Sequence, residues 1–285
     1  MKSYVKEVNK LVETGVKNIK ENTVTLNNDK PILDKRDFNT KEGEPIYFDL
    51  DELGRSNGAI AILSNNTIPL VIKKNLDYPD PYGWTESLEN KNVFERCHII
   101  AYSLSARLAD RKNIFIGTGT LNTSIMATIE NKIRGYIKEN DVRILYKVTV
   151  KYKGIDQIPT GILIEAGSLD DDFSVCKFCY NIHKDVKFSY KNGKIIEDNR
   201  EGTTEKIKDK TNNSKKSSKA KGSDNSSNKT DDYVINRKTN KFHLKDKNCA
   251  KLNDVEPKYI NETTATKVDL INAGLTACKK CINSE

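Results

Sequence analysis

The hydrophobic pattern between residues 41 and 200 alternates between the two-residue period of strands and the longer period of a helix. A helix is predicted over 122–140, with Thr123 or Ser124 as its N-cap. Its apolar positions recur every three or four residues: Ile125, Ile129, Ile133, Tyr136 and Ile137. Strands are predicted from short β-branched and aromatic runs: AIAIL (59–63), IPLVIK (68–73), NVFERCHII (92–100), RILYKVTVKY (143–152), TGILIEA (160–166), FSVCKFCYNI (173–182) and VKFSY (186–190). The first two runs are expected to form a hairpin through residues 64–67, and the whole pattern indicates an α+β fold.

The two ends of the chain differ from this central part. Residues 1–40 are read as an amphipathic helix and a lead-in to a domain over 41–200. Residues 201–231 have no aromatic and almost no aliphatic side chain, which predicts a disordered linker. Residues 232–285 form a small unit with a hairpin around DYVINRKTNKFH and a helix over 266–273. That helix has a capping box of Thr266 and Asp269 and a C-cap at Gly274. A unit this small buries few apolar side chains, so it needs a cross-link such as a disulfide or a bound metal to be stable.

Composition adds two constraints. The net charge of +8 favours anionic partners, and the 31% of charged residues indicates that part of the chain is solvated. No stretch approaches the roughly 20 apolar residues of a membrane helix, and no signal peptide is visible at the amino terminus. The six cysteines are too sparse for a disulfide scaffold.

The strand containing ERCHII offers the first candidate chemistry. Side chains alternate along a strand, so Arg96 and His98 share one face while Cys97 points to the other. A histidine that takes a proton from water, beside an arginine that holds a phosphate, would be arranged in this way. The alternation argues against a dyad of Cys97 and His98, although a lone histidine in a strand is more often structural.

The long helix offers a second set of candidate catalytic residues. Asn122 lies at its start, and Glu130 and Arg134 follow eight and twelve residues later, which places all three along one side. The amide oxygen of Asn122 could ligate Mg²⁺, Glu130 could hold the waters of the metal, and Arg134 could neutralise a phosphate oxygen. The simpler alternative, favoured by spacing alone, is that Asn122 is a cap and Glu130 with Arg134 an ordinary ion pair.

A resemblance that runs through the domain in order changes this balance. The matching pieces are FDLDELGRSNGAIA (48–61), GW (83–84), RCHIIAYSL (96–104), NIFIGTGTLN (113–122), IENKI (129–133), LYKVT (145–149), LIEAGSLDDD (163–172) and CKFCYNI (176–182). Together they resemble the DNA/RNA non-specific endonucleases of the ββα-metal superfamily, especially the Gram-positive DNA-entry and secreted nucleases. The resemblance implies a ββα-metal domain with a central antiparallel sheet that contacts the phosphate backbone of DNA, with RNA as an alternative substrate. It also implies an extracellular or cell-surface location, with the cytoplasm as the alternative.

The resemblance assigns roles to five residues. It implies His98 as general base, Asn122 as the single direct protein ligand of Mg²⁺ (with Mn²⁺ as an alternative ion), and Glu130 as support for the water shell. Arg96 and Arg134 would bind or stabilise phosphate. Arg55, in the matching LDELGR segment, is expected to be structural or to contact substrate.

The chain departs from the family pattern at Glu95, at Gly119 and in a glycine–methionine pair, since Ile125 precedes Met126. Glu95 stands where Asp or Asn is usual, and Gly119 stands where Arg is common, so substrate binding could be weakened or a salt bridge altered. A catalytically weak DNA-binding or uptake protein therefore remains an alternative function, and an exported nuclease toxin is another.

The remaining cysteines and histidines are assigned separately. Cys176 and Cys179 are expected on opposite faces of one strand, as structural residues, and His183 at a strand end on the surface. In the small carboxy-terminal unit, three thiolates and an imidazole form a standard tetrahedral Zn²⁺ set: His243, Cys249, Cys278 and Cys281. This unit resembles the Ada-like metal-binding modules, which often use four cysteines. The alternative is a disulfide between Cys249 and Cys278 or Cys281, and the lysines between the last two cysteines could contact phosphate or be solvated.

Overall fold

The computed structural model of the protein describes residues 4–16, 19, 21–34, 37, 40–69, 78–106, 110–200, 230–236, 239, 241–247, 249–253, 255, 260–267, 270 and 275–282. These residues form two compact units, one within 4–200 and one within 230–282. Residues 201–229 of the predicted linker lie outside the described part. Residues 230 and 231, at the end of the predicted linker range, begin a strand.

The first unit is a mixed α and β domain whose elements follow the sequence pattern closely. In chain order, besides short 3₁₀ turns, it contains α1 (Val5–Thr14), β1 (Thr23–Thr25), β2 (Ile46–Tyr47), β3 (Gly58–Leu63), α2 (Glu86–Glu89), β4 (Phe94–His98), α3 (Tyr102–Ser105), β5 (Ile114–Thr118), α4 (Ala127–Asn140), β6 (Ile144–Lys151), β7 (Gly161–Ser168), β8 (Ser174–Tyr180), β9 (Val186–Phe188) and β10 (Ile195–Asp198). The α+β prediction and the central antiparallel sheet are confirmed.

The central sheet has six strands in the order β1-β8-β7-β6-β3-β2, and every neighbouring pair is antiparallel. Strand β3 pairs with β2 on one side and β6 on the other, so the predicted hairpin of 59–63 with 68–73 is wrong. The Thr67 hydroxyl donates to the Leu104 carbonyl at 3.0 Å, which directs this turn toward α3. Residues 70–73 lie outside the described part.

Both faces of the sheet are buried, one by the long helix and one by the amino-terminal helix. Ile129, Ile133 and Ile137 of α4 pack in the larger core cluster, while Val8 and Val12 of α1 pack in a second cluster. Residues 4–34 therefore belong to the same compact unit as the sheet. Cys179 lies in the first cluster and Cys176 in the second, so these cysteines are structural and cannot share a metal. Their predicted separation by the sheet is confirmed.

Strands β4 and β5 form a separate antiparallel ribbon that runs directly into the long helix. The helix begins at Thr120, with a wide π-helical turn over Thr120–Met126 before α4. Thr123 and Ser124 therefore lie inside it, and the predicted N-cap is wrong. The Thr123 hydroxyl donates to the Gly119 carbonyl at 2.7 Å instead of capping a free backbone N–H. Ribbon and helix together make one ββα unit.

Two neighbouring substitutions in α4 test its orientation. Ile133→Ala is expected to lower the free energy of unfolding by about 2–5 kcal/mol, because Ile133 is fully buried and its removal leaves a cavity. Gly135→Ala is expected to raise it by roughly 0.5–1 kcal/mol, because an added methyl meets no atom within 4 Å. Urea unfolding followed by the fluorescence of Trp84, the single tryptophan, measures both. Equal effects would show that α4 faces the sheet differently.

The second unit is a four-stranded sheet with strands β11 (Thr230–Asn236), β12 (Lys241–Leu244), β13 (Ile260–Thr266) and β14 (Thr276–Ala277) in the order β13-β11-β12-β14. The predicted hairpin is confirmed as the β11–β12 pair. Of the predicted helix over 266–273, Thr266 is the last residue of β13, and Asp269 and Gly274 lie outside the described residues. The buried apolar side chains of its core cluster are few: Tyr233, Ile235, Phe242, Leu270, Leu275 and Ile282.

None of the helices in the described ranges is long and apolar enough to cross a membrane.

Candidate functional site

Strand β4 presents its side chains as the alternation predicts. Cys97 is fully buried in the core, with its Sγ against Gly117, and burial raises the pKa of its thiol. Arg96 and His98 point away from that core, with side chains 28% and 15% exposed. A catalytic pair of Cys97 and His98 is thereby excluded by geometry.

A cavity of about 560 Å³ opens beside this strand and the start of the helix. Its wall includes Tyr78, Trp84, Glu95, Arg96 and Asn122. The ring of Tyr78 lies 6.5 Å from that of His98, between centroids, which connects the histidine to the same cavity. Burial raises the pKa of Tyr78, and the nearby Glu130 carboxylate adds to this rise.

Three buried polar atoms on β4 and the long helix lack a hydrogen-bond partner among the described residues: His98 Nδ1, Asn122 Oδ1 and Glu130 Oε1. His98 Nδ1 and Glu130 Oε1 are 3.8 Å apart, which is too far for a direct hydrogen bond but close enough for a shared water. Asn122 is not a cap, because its Nδ2 donates to Glu95 Oε2 at 2.7 Å. Two unpartnered oxygens and an imidazole nitrogen suit a hydrated divalent cation with oxygen ligands.

The Glu130 carboxyl is only 7% exposed. Burial raises its pKa, and the positive charges of His98 and Arg134 partly oppose this rise. Arg134 donates to Asn131 Oδ1 at 2.7 Å, and no ion pair between Arg134 and Glu130 is found among the described residues. The helix therefore carries a buried carboxylate that its neighbours compensate incompletely.

This burial predicts a gain in stability when the charge is removed. Because the pKa of Glu130 is raised in the folded state, its contribution to stability is greatest at low pH and is lost as pH rises through that folded pKa. Glu130→Gln is therefore expected to be more stable than wild type at neutral pH in EDTA, with the difference shrinking toward pH 4. Urea midpoints across this pH range measure it. A constant difference at all pH values would show that the carboxyl does not titrate abnormally.

Arg96 lies in a cluster of acidic and aromatic side chains. It donates to Asp80 Oδ1 at 2.7 Å and to Glu89 Oε1 at 3.1 Å, and it stacks 4.5 Å above the Trp84 ring. Hydrogen bonding to Glu89 and then Asp80 raises the pKa of the guanidinium. The sequence did not predict that Asp80 and Glu89 contact Arg96, because only the fold brings residues 80 and 89 to the strand.

The contacts of Arg55 and His183 indicate what each of these side chains does. Arg55 is 9% exposed, bonds Asp51 at 2.6 Å and donates to the carbonyls of Gly154 and Asp156, so its role is structural. His183 follows β8, is half-buried and lines the cavity. Its Nδ1 accepts a hydrogen bond from the Asp185 N–H at 3.2 Å, and burial lowers its pKa.

The second unit brings the four predicted zinc ligands together. The ligand atoms of His243, Cys249, Cys278 and Cys281 all lie within 4.8 Å of one another. Cys249 Sγ is 3.9 Å from Cys278 Sγ, and Cys281 Sγ is 3.5 Å from His243 Nδ1. Tetrahedral zinc with bonds of about 2.3 Å to sulfur and about 2.0–2.1 Å to nitrogen separates two sulfurs by about 3.8 Å and sulfur from nitrogen by about 3.6 Å. The separations of 3.9 Å and 3.5 Å match such a site, and all six cysteines are free thiols.

Comparison with known proteins finds similarity within the first unit. Residues 35–169 match the DNA/RNA non-specific endonuclease family. A deoxyribonuclease from Streptococcus dysgalactiae subsp. equisimilis is 26% identical over 127 residues, which are 43% of this chain and 38% of that relative. The match thus spans well under half the length of the relative.

Crystal structures of NucA from Streptococcus agalactiae share the fold. The metal-free form has a TM-score of 0.55 at 21% identity, covering 67% of this chain and 96% of NucA. The magnesium-bound form has a TM-score of 0.55 at 20% identity, covering 68% and 96%. The likeness to NucA shows that the two proteins share a fold. The match to the DNA/RNA non-specific endonuclease family and the fold shared with NucA both fall within the first unit of the chain.

Proposed function

We propose that this protein is a metal-dependent, sequence-nonspecific endonuclease that hydrolyses the phosphodiester bonds of DNA. The observation that carries the proposal is the set of three unpartnered buried atoms on His98, Asn122 and Glu130. Such atoms destabilise a fold unless something bound satisfies them. The family match and the likeness to a deoxyribonuclease support DNA as substrate, with RNA as an alternative. Resemblance to secreted nucleases supports action outside the cell. Nicking of supercoiled plasmid in Mg²⁺, absent in EDTA, tests the proposal.

The donor atoms fit Mg²⁺, with Mn²⁺ as the second candidate. Asn122 Oδ1 would be the single direct protein ligand, and Glu130 Oε1 would hold waters of the ion, since these hard cations take oxygen ligands and Mg²⁺ retains several waters. The magnesium ion bound to NucA supports this choice. When bound, such an ion stabilises negative charge on the phosphate and the leaving oxygen.

His98 is proposed as the general base. Its Nδ1 has no partner among the described residues and is therefore free to take a proton from water. The water oxygen then attacks phosphorus while the bond from phosphorus to the 3′ oxygen breaks. Glu130, 3.8 Å from this nitrogen, stabilises the imidazolium that forms. The leaving oxygen is protonated from solvent.

The two arginines are proposed to hold phosphate. A phosphate entering the cavity would compete with Asp80 and Glu89 for Arg96, and both carboxylates are more than half exposed. Arg134 would approach from the helix. Because these contacts go to the backbone and not to base edges, cleavage should be insensitive to sequence and should weaken with salt.

We further propose that His243, Cys249, Cys278 and Cys281 bind one structural Zn²⁺. The support is the match between their separations and a tetrahedral site. The small core of this unit would then be stabilised by the ion, as in other small metal-dependent modules.

A further inference from the structure

Glu95 connects strand β4 to the proposed metal ligand. Its Oε2 accepts the hydrogen bond from Asn122 Nδ2 at 2.7 Å, and Asn122 Oδ1 remains buried without a partner among the described residues. The two ends of an amide have nearly the same shape, so neighbours decide which end faces which way. An ionised carboxylate only accepts hydrogen bonds. Glu95 therefore holds the NH₂ group and leaves the oxygen of Asn122 facing the site.

Gly119 provides the space for this contact. Its backbone does not require glycine, because φ is −55° and ψ is −36°, an ordinary helical conformation. A Cβ at this position would lie 2.8 Å from Glu95 Oε1, so the carboxylate end of this flexible side chain would have to shift. A side chain here would therefore displace the carboxylate that holds Asn122.

We propose that Glu95 is a positioning residue that fixes the Asn122 amide with its oxygen toward the metal, and that Gly119 is needed to accommodate it. The inference rests on the proposed metal-dependent function. The departures from the family pattern at these two positions then form one coupled feature. The cation missing at position 119 is not a defect, because its absence leaves room for the glutamate.

Binding of Mn²⁺ to the full-length chain, measured by the electron paramagnetic resonance of the free ion after saturation with Zn²⁺, tests this inference without any cleavage assay. Loss of a partner that orients a metal ligand typically weakens metal binding about 10–100-fold. Glu95→Gln is expected to weaken binding by at least about tenfold, because its amide can pair with either end of Asn122. Gly119→Ala is expected to do the same by displacing the carboxylate.

A double-mutant cycle isolates the coupling. Glu95→Asp has a shorter side chain that ends farther from position 119, so adding Gly119→Ala to it should cause no further loss of Mn²⁺ affinity. Glu89→Gln is the matched control, since it removes a negative charge from the same cavity wall without contacting Asn122. It should change affinity less than Glu95→Gln does. Trp84 fluorescence in urea verifies that each variant is folded.

The outcomes separate this inference from the function on which it rests. Wild-type affinity in Glu95→Gln would overturn the positioning role. An equal loss from Gly119→Ala in the wild-type and Glu95→Asp backgrounds would overturn the coupling. If Asn122→Ala binds Mn²⁺ as tightly as wild type does, the proposed metal site itself is wrong, and this inference fails with it.

Discussion

His98→Ala is expected to reduce the rate of plasmid nicking by about 10²–10⁴-fold, the usual contribution of a general base. The expectation follows from an imidazole whose Nδ1 is buried, unpartnered among the described residues and 3.8 Å from a buried carboxylate. Removal of the ring takes away the proton acceptor but leaves Asn122 and both arginines in place. Nicking of supercoiled DNA over time in Mg²⁺ measures the effect.

A second histidine, which lines the neighbouring cavity, supplies the matched control. His183→Ala should retain most of the activity, because the His183 ring is engaged by the Asp185 N–H and no catalytic contact of it is found among the described residues. Partial recovery of His98→Ala in added imidazole would identify proton transfer as the lost step. If wild type shifts plasmid on a gel but never nicks it in Mg²⁺ or Mn²⁺, the chain is a DNA-binding protein and the enzyme proposal is wrong.

Cys278→Ser is expected to unfold the second unit while leaving the first folded. Structural zinc contributes about 10–16 kcal/mol to small zinc modules at neutral pH, far more than so small a core can replace. Wild type should carry about one zinc per chain by elemental analysis. In the variant, zinc should be lost and amide hydrogen exchange in β11, β12 and β13 should become fast. The urea transition reported by Trp84 in the first unit should not move.

Two further measurements sharpen this test. Lys279→Ser changes a side chain between Cys278 and Cys281. This variant should keep both its zinc and its protection against amide hydrogen exchange. A thiol titration of the denatured wild-type chain should find all six cysteines reduced, whereas a disulfide would leave four. Four thiols, or full exchange protection in Cys278→Ser, would contradict a structural zinc.

Local periodicity predicted most of the strands and the shared face of Arg96 and His98, because side-chain alternation depends only on backbone geometry. It predicted the wrong partner for the strand at 59–63. The pattern of a strand inside a sheet does not indicate which other strands it pairs with, and this one pairs with β2 and β6. The role of Asn122 came from resemblance, and its partner Glu95 could not be inferred from spacing. Asp80 and Glu89 reach Arg96 only through tertiary structure. No sequence pattern predicted the π-helical turn at the start of the helix.

The π-helical turn at Thr120–Met126 affects the direction in which the side chains of the following helix point. Each residue of an α-helix turns the chain by about 100°, so one residue more or fewer between Asn122 and Glu130 would change the direction of one side chain relative to the other. A wide turn holds an extra residue without breaking the helix, and such turns are frequent at functional sites. The stretch from 119 to 130 is thus a spacer of fixed length.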